Sequence, residues 1–173
     1  VLLEAAVLSI LPKNLVNLSE EASLSEIGKD ILIFERAQRK PLMITTDSVC
    51  DLPASLKKEF GLSVCPYYIY TDMGRFLDDI ELKSDELLVY IAEGRNGYSE
   101  APEVEDYERF FAERLGEAQN VIHITMAKHA SQGYFNALEA AKSFENVTVL
   151  DSGHLSSSMG LIVLHAASMV ENH

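Results

Sequence analysis

The sequence predicts an α/β protein with a mostly parallel sheet and flanking helices, and three observations support this fold class. Short apolar, β-branched runs at Leu42–Thr46 and Val121–Thr125 are typical of buried strands, and Val147–Asp151 is predicted as a third strand. Each run is followed by a stretch of helical periodicity, and such alternation favours a parallel sheet covered by helices. With 47% hydrophobic and 24% charged residues, the chain can bury enough apolar surface to fold.

Residues 1–40 precede this pattern and are predicted to be a separate helical extension or linker, whereas residues 41–173 form the α/β lobe. In the extension, Ser25 followed by apolar residues up to Phe34 indicates an amphipathic helix. Pro41 cannot continue that helix. We therefore expect the extension to pack outside the sheet, as a linker or as the contact of a homodimer.

Within the lobe, each predicted element follows from periodicity and from turn or cap residues. The first strand is followed by a helix closed by glycine, a strand rich in aromatic residues, a turn and two helices in series. The later strands are each followed by one helix. In order, these elements are Ala54–Phe60, Leu62–Tyr70, Thr71–Gly74, Ser84–Glu93, Glu103–Glu117, Ser131–Phe144 and Ser156–Glu171.

The charge of the chain argues against a nucleic-acid partner. The formal net charge is -13, and residues 72–117 hold fourteen Asp or Glu against five Lys or Arg. A polyanion would meet a repulsive field there. An anionic ligand would therefore need local donors, such as the free amides at a helix start.

The cysteines and the apolar segments point to the cytoplasm. Cys50 and Cys65 make at most one disulfide, and their spacing suggests no zinc site. The apolar start of the chain is interrupted by Glu4 and closed by Pro12, which makes it too short for the ~20 residues of a membrane span. The chain begins with Val and lacks a positive segment, so no signal peptide is expected and the native protein is expected to extend further.

Candidate functional residues lie where the predicted strands end. Ligands of open parallel sheets bind beyond the carboxyl ends of the strands. That rule selects three loops, which are Thr46–Asp51, Thr125–Ser131 and Asp151–Ser158.

The first loop allows more than one interpretation. Asp47 and Ser48 either tie down a turn, with Asp51 capping the helix that begins at Pro53, or face a ligand. A magnesium or phosphotransfer site would need a second carboxylate, for which Asp151 is the candidate. Cys50 paired with a histidine of the last loop would instead indicate a nucleophile and its base.

The second and third loops offer donors for an anion. Ser131 stands at a predicted helix start, where its hydroxyl and the following amides can bind a carboxylate oxygen or simply cap the helix. Lys128 would add positive charge. The hydroxyls and glycines of Asp151–Gly160 suit close backbone approach to a ligand. His154 is the loop histidine, whereas His123, within a strand, is interpreted as a core residue.

Several motifs in these loops, in order and spacing, resemble the DegV family over residues 42–173. Ser131-Gln-Gly-Tyr134 is similar to a Ser-Gly-Thr-Tyr helix start of the family. The motifs that carry the resemblance are Thr46-Asp47-Ser48, Asp51-Leu52-Pro53, Phe76-Leu-Asp78, Ile80-Glu-Leu82, Asp85-Glu86, Ser99-Glu-Ala-Pro102, Ser131-Gln-Gly-Tyr134, Asp151-Ser152 and Ser158-Met-Gly160.

The resemblance implies the first lobe of a two-lobed protein that encloses a long-chain fatty acid and presents its carboxylate to an acyl kinase. It implies a carrier and no enzyme, cofactor or metal. Ser131 and Ser99 match family positions near the carboxylate. The full set of predicted ligand-binding residues is Ser131, Ser99, Thr46, Asp47, Ser48, Lys128, Ser152 and Ser158.

The sequence differs from the family pattern at Glu100, Gln132 and Lys128. A negative charge at Glu100 repels an anionic head group. Glu100 and Gln132, the missing second lobe and the Val1–Lys40 extension motivate an alternative function, in which the chain is a regulatory or interaction domain of a larger protein that has lost the ligand. An enzyme that uses Asp47 or Cys50 is the third hypothesis.

Overall fold

The computed structural model describes residues 39–171, which belong to one compact unit beginning at Arg39. The predicted helices of the extension lie outside the described residues. The described strands are β1 (Met43–Asp47), β2 (Ser63–Cys65), β3 (Tyr68–Thr71), β4 (Gly74–Leu77), β5 (Tyr98–Glu100), β6 (Val121–Thr125) and β7 (Val147–Asp151). The helices are α1 (Ala54–Glu59), α2 (Ser84–Ala92), α3 (Val104–Glu117), α4 (Gly133–Ala141) and α5 (Ser156–Glu171).

The main sheet confirms the predicted fold class. Its four strands run in the order β2-β1-β6-β7, and every neighbouring pair is parallel. All five residues of β1 are buried, as expected for a central strand covered on both faces. Among the described residues, no helix has the length and apolarity needed to cross a membrane.

A second, antiparallel sheet of order β4-β3-β5 was not predicted. The expected single strand Leu62–Tyr70 is two strands, because Pro66 lies between them and lacks the N–H that a continuous ladder needs. The predicted turn at Thr71–Gly74 is confirmed as the connection between β3 and β4. The segment 94–102, between the two predicted helices in series, contains β5, which pairs with β3.

The faces of the main sheet pack against different helices. Ile44 and Ile124 contact Met159 and Val163 of α5. The alternate positions face the other way, so His123 packs against Phe111 of α3, with ring centroids 5.3 Å apart. This alternation places polar residues of β1 and β6 beneath α3, and they support the site described below.

We expect the lobe to fold without residues 1–38, because residues of the described part of the chain form hydrophobic clusters on both faces of the sheet. Deletion of residues 1–38 should leave a cooperative urea unfolding transition, measured by circular dichroism against the full chain. A gradual transition in the shortened protein would show that the extension belongs to the core.

Candidate functional site

The four parallel strands end at one edge of the main sheet, and this edge carries the three predicted loops. The final residues of these strands are Asp47, Cys65, Thr125 and Asp151. Register places Asp47 beside Cys65, and Thr125 beside Asp151. The edge therefore carries carboxylate, thiol and hydroxyl groups, and β1, β6 and β7 each lead through a loop into a helix.

Asp47 is fully buried and belongs to a polar network. Its Oδ1 accepts a hydrogen bond from the Tyr107 hydroxyl at 2.8 Å and lies 3.1 Å from Nε2 of His123. Its Oδ2 accepts from the Met126 amide at 3.4 Å. Nδ1 of His123 lies 2.9 Å from the Thr45 hydroxyl. The interpretation of His123 as a core histidine is confirmed, since all of its ring partners lie inside the protein.

Thr46 and Asp47 differ from their predicted role as groups that face a ligand. Neither side chain reaches the surface, and the Thr46 hydroxyl donates to the Ile124 carbonyl at 2.9 Å. Ser48 is half-buried, and its Oγ accepts from the Tyr67 amide at 3.1 Å. These residues support the first loop from beneath.

Ser131 is half-buried just before α4. The helix begins at Gly133, two residues later than predicted, and Gln132 is its N-cap residue. The Gly133 amide donates to Ser131 Oγ at 3.1 Å, and the Tyr67 hydroxyl lies 2.9 Å from the same oxygen. Ser131 Oγ therefore accepts a hydrogen bond from the first amide of α4, and Ser131 itself lies in the second loop at the carboxyl edge of the sheet.

Because Gly133 has no side chain, the hydroxyls of two tyrosines fit beside the start of α4. A Cβ at this position would overlap the Tyr67 hydroxyl and would lie 3.1 Å from the Tyr107 hydroxyl. Burial raises the pKa of both phenols well above their ordinary value, and the neighbouring Asp47 carboxylate adds to the shift. Both groups are therefore protonated at neutral pH. Neither tyrosine was predicted as a site residue, because each fits the apolar pattern of its own element.

Ser99 lies on exposed β5, opposite Ile69 of β3. Glu100 follows it and is also exposed. The chain beyond β5 is tied to α4, because the Pro102 carbonyl accepts from Asn136 Nδ2 at 2.8 Å. This hydrogen bond links the segment that follows β5 to α4, the helix that begins just after Ser131.

Lys128 is engaged by Asp151. The Asp151 carboxylate accepts from the Lys128 amide at 3.2 Å and from the Gly153 amide at 2.9 Å, and the Lys128 Nζ lies 3.7 Å from it. The Gly153 amide bond is the main cause that lowers the pKa of Asp151. Lys128 of the second loop therefore lies beside the Asp151 carboxylate of the third loop, and its side chain is exposed.

Two further hydroxyls of the third loop donate to nearby backbone carbonyls. Ser152 donates to His154 at 3.1 Å, and Ser158 donates to Leu155 at 2.7 Å. Asp51 does not cap α1, whose N-cap is Pro53 without a side-chain bond. Asp51 instead accepts from the Ser156 hydroxyl at 2.5 Å, which joins the first loop to the third.

The structure gives little support to a nucleophile at Cys50. Its side chain is buried, and burial raises the pKa of the thiol, so the thiolate is scarce at neutral pH. Asp47 and Asp151 stand on strands separated by β6, and each is bound by its own partners. Among residues 39–171, no group of three or more potential ligands is placed to hold a metal ion.

Together, the sheet and its edge define a parallel α/β lobe with the Ser131 hydroxyl and a helix start in the loops that follow the carboxyl ends of the strands. The family model described as "Uncharacterised protein, DegV family" matches residues 41–173. The chain belongs to the DegV family.

Individual relatives agree with this assignment. A DegV domain-containing protein from Caldanaerobacter subterraneus subsp. tengcongensis is 28% identical over 130 residues, covering 74% of this chain and 46% of the relative. A structure described as fatty acid binding of a DegV family protein from Thermus thermophilus is 30% identical, with a TM-score of 0.70, and covers 76% of this chain and 48% of that one. A DegV lipid binding protein from Thermotoga maritima is 26% identical, with a TM-score of 0.66, over 76% and 49%. The chain thus spans about half the length of these relatives.

Proposed function

We propose that this chain is the first lobe of a fatty-acid carrier and that it binds the carboxylate of a long-chain fatty acid at the edge of its parallel sheet. The observation that carries the proposal is the half-buried Ser131 hydroxyl at the start of α4. A helix start offers free amides and partial positive charge to an anion. Ser99 assists from β5, which is tied to α4 through Pro102.

The carrier presents the bound carboxylate to a partner acyl kinase and has no catalytic role of its own. The buried Cys50 thiol and the internally paired Asp47 supply no exposed nucleophile at this edge. The chain covers about half of each of these relatives, which supports the presence of a second lobe that completes the acyl site. The free, buried thiols of Cys50 and Cys65 suit the reducing cytoplasm.

Native mass spectrometry of the purified protein, followed by lipid extraction, tests this function. We expect an acyl chain to co-purify at one per protein. Protein that carries no acyl chain and takes up none from added oleate would instead favour the regulatory or interaction domain.

Replacing Ser131 with alanine should weaken oleate binding by roughly ten- to a hundredfold, since a hydrogen bond to a charged group is worth about 1.5–3 kcal/mol. Isothermal titration of the lipid-stripped protein measures this change. Ser143→Ala is the matched control, because that exposed hydroxyl beyond α4 bonds Glu108.

An unchanged affinity together with a melting temperature lowered by several degrees would show that Ser131 only holds the start of α4. Glu100→Ser would then be the next variant. Removal of that exposed negative charge beside Ser99 should restore binding if repulsion has weakened the site.

A further inference from the structure

Helix α2 is apolar around most of its circumference, yet it buries little of that surface. Residues 87–92 are six consecutive apolar or aromatic residues. Only Tyr90 of this helix is buried among the described residues, whereas Leu88 is 67% exposed, Val89 is 63% exposed and Ile91 is 48% exposed. A helix that is apolar on all sides is normally buried on all sides. The outer face of α2 therefore lacks a partner within the described part of the chain.

The inner face of α2 is already occupied by the small antiparallel sheet. Tyr90 donates to the Asp72 carboxylate at 2.7 Å, in the turn between β3 and β4. Leu87 lies beside the start of β5, since its Cδ1 would be 3.7 Å from a Cβ at Gly97. Residues three apart share one side of a helix, so these two contacts fix the inward side. Leu88 is rotated from Leu87 by about 100° and lies on the outer side.

Carboxylates surround the outer face of α2. Residues 78–95 contain six Asp or Glu and only two basic residues, Lys83 and Arg95. Both basic side chains are engaged nearby, because Lys83 Nζ lies 3.2 Å from the Asp79 carboxylate and Arg95 Nε lies 3.5 Å from the Glu93 carboxylate. The surroundings of this apolar face are therefore strongly negative.

The first turn of α2 places two further carboxylates at one end of the face. Asp85 accepts from the Glu86 amide at 3.0 Å, and Glu86 accepts from the Lys83 amide at 2.9 Å. Both side chains are exposed. An amide is a neutral donor, so each carboxylate keeps its negative charge while it stabilises the start of the helix.

Charge distinguishes between the occupants that an apolar helix face can have. A second copy of this chain carries a net charge of -13 and would bring the same acidic surroundings to the contact. An anionic lipid surface meets the same repulsion. A helix with an apolar stripe and flanking lysine or arginine side chains complements both the apolar face and its carboxylates.

We propose that the outer face of α2, formed by Leu88, Val89 and Ile91 with Asp85 and Glu86 at one end, docks a basic amphipathic helix of a partner protein. The inference goes beyond the proposed fatty-acid site and does not depend on it. Because α2 is nine residues long, about 13 Å, the contact covers two to three turns of the partner helix. A contact of this size is weak and transient, and the charges chiefly speed its formation.

Two synthetic helical peptides test the chemistry of the partner. Both carry leucines at helical spacing, and their remaining positions are lysine in one peptide and glutamate in the other. We expect the lysine peptide to bind the full chain with a Kd of about 10–100 μM and the glutamate peptide to bind at least about tenfold more weakly. Raising NaCl from about 50 mM to about 500 mM should weaken the lysine peptide about fivefold. Fluorescence anisotropy measures these affinities, and equal binding of the two peptides, or no binding of either, would contradict the proposal.

Leu88→Gln tests where the lysine peptide binds. The variant should lower its affinity about fivefold, because Leu88 is buried only in the complex. Leu161→Gln is the matched control, since Leu161 is a 69% exposed leucine on α5. Glutamine keeps a helix propensity close to that of leucine at both positions, and circular dichroism establishes that both variants are folded. Equal losses in the two variants would show that the peptide does not bind at α2.

Asp85→Asn tests the contribution of the carboxylates. We expect the lysine peptide to bind about threefold more weakly and its affinity to depend less on salt. Glu105→Gln is the matched control, because Glu105 is also an exposed carboxylate in the first turn of a helix, α3. The same effect in both variants would mean that the general charge of the chain attracts the peptide, and the proposal would fail.

The other occupants give different results. A dimer in analytical ultracentrifugation that dissociates in Leu88→Gln would assign the face to a second copy, and sedimentation with phosphatidylglycerol vesicles that Leu88→Gln abolishes would assign it to a membrane. Loss of peptide binding in a protein that includes the second lobe would place α2 between the lobes. Each of these results overturns the proposal. Oleate affinity should be unchanged in Leu88→Gln, so failure of the fatty-acid function and failure of this inference are observed separately.

Discussion

Replacing Asp47 with asparagine is expected to lower the free energy of unfolding by about 3 kcal/mol. Asp47 is fully buried and accepts from a phenol and a backbone amide, with His123 against the same oxygen as the phenol. Asparagine has one acceptor oxygen and brings an amide group that only donates. At least one of the buried donors would therefore lose its acceptor. Urea unfolding of the variant and the wild type measures the difference.

Asp72→Asn is the control for this prediction. The Asp72 carboxylate also accepts from a tyrosine hydroxyl, at 2.7 Å, but the residue is exposed. Water can replace the lost bond there, so we expect a change of less than about 1 kcal/mol. Equal losses of unfolding free energy in Asp47→Asn and Asp72→Asn would show that burial does not explain the contribution of Asp47 to stability.

A methyl group at Gly160 should also destabilise the protein, by about 2 kcal/mol. Gly160 lies in α5, and a Cβ there would sit 2.8 Å from the Cys50 carbonyl oxygen and 2.9 Å from the Leu52 Cδ2. The carbonyl belongs to the backbone of the first loop and cannot move aside cheaply. Overpacking of this kind costs up to about 3 kcal/mol and exceeds the roughly 1 kcal/mol that alanine adds to helix stability.

Gly116→Ala isolates the helical contribution. Gly116 lies in α3, and nothing within 4 Å would meet its Cβ. We expect this variant to be more stable than the wild type by roughly 0.5–1 kcal/mol in urea unfolding. A stabilising effect of Gly160→Ala as well would mean that the first loop can withdraw from α5.

The main sheet could be predicted because each of its longer strands carries its own signal. Val121–Thr125 is a β-branched run, apolar except for His123 and Thr125, and it forms the mostly buried strand β6. The antiparallel sheet left weaker signals. Its strand β5 has three residues, all exposed, and they form a strand only because β3 pairs with them. Such pairing depends on tertiary contacts that local periodicity does not record.

The sequence indicated where the candidate site would lie, at the carboxyl ends of the strands, but it did not indicate all of the residues found there. Ser131 could be found because a serine before a helix is a local pattern. Tyr67 and Tyr107 could not be found in this way, since they meet only through packing of β1, α3 and the segment between β2 and β3. Lys128 was predicted to add positive charge, and the sequence did not indicate that its Nζ would lie 3.7 Å from the Asp151 carboxylate.

The pairing of β1 with β6 has a consequence for synthesis of the chain. Thr45 and its partner His123 are 78 residues apart. At roughly 5–20 residues per second on a ribosome, β1 waits about 4–16 seconds before its second neighbour has been made. During that interval the strand has an open edge, and Asp47 has neither His123 nor the Met126 amide to bind. The charged Asp47 at the end of this strand keeps that end hydrated, which discourages pairing with other chains until β6 arrives.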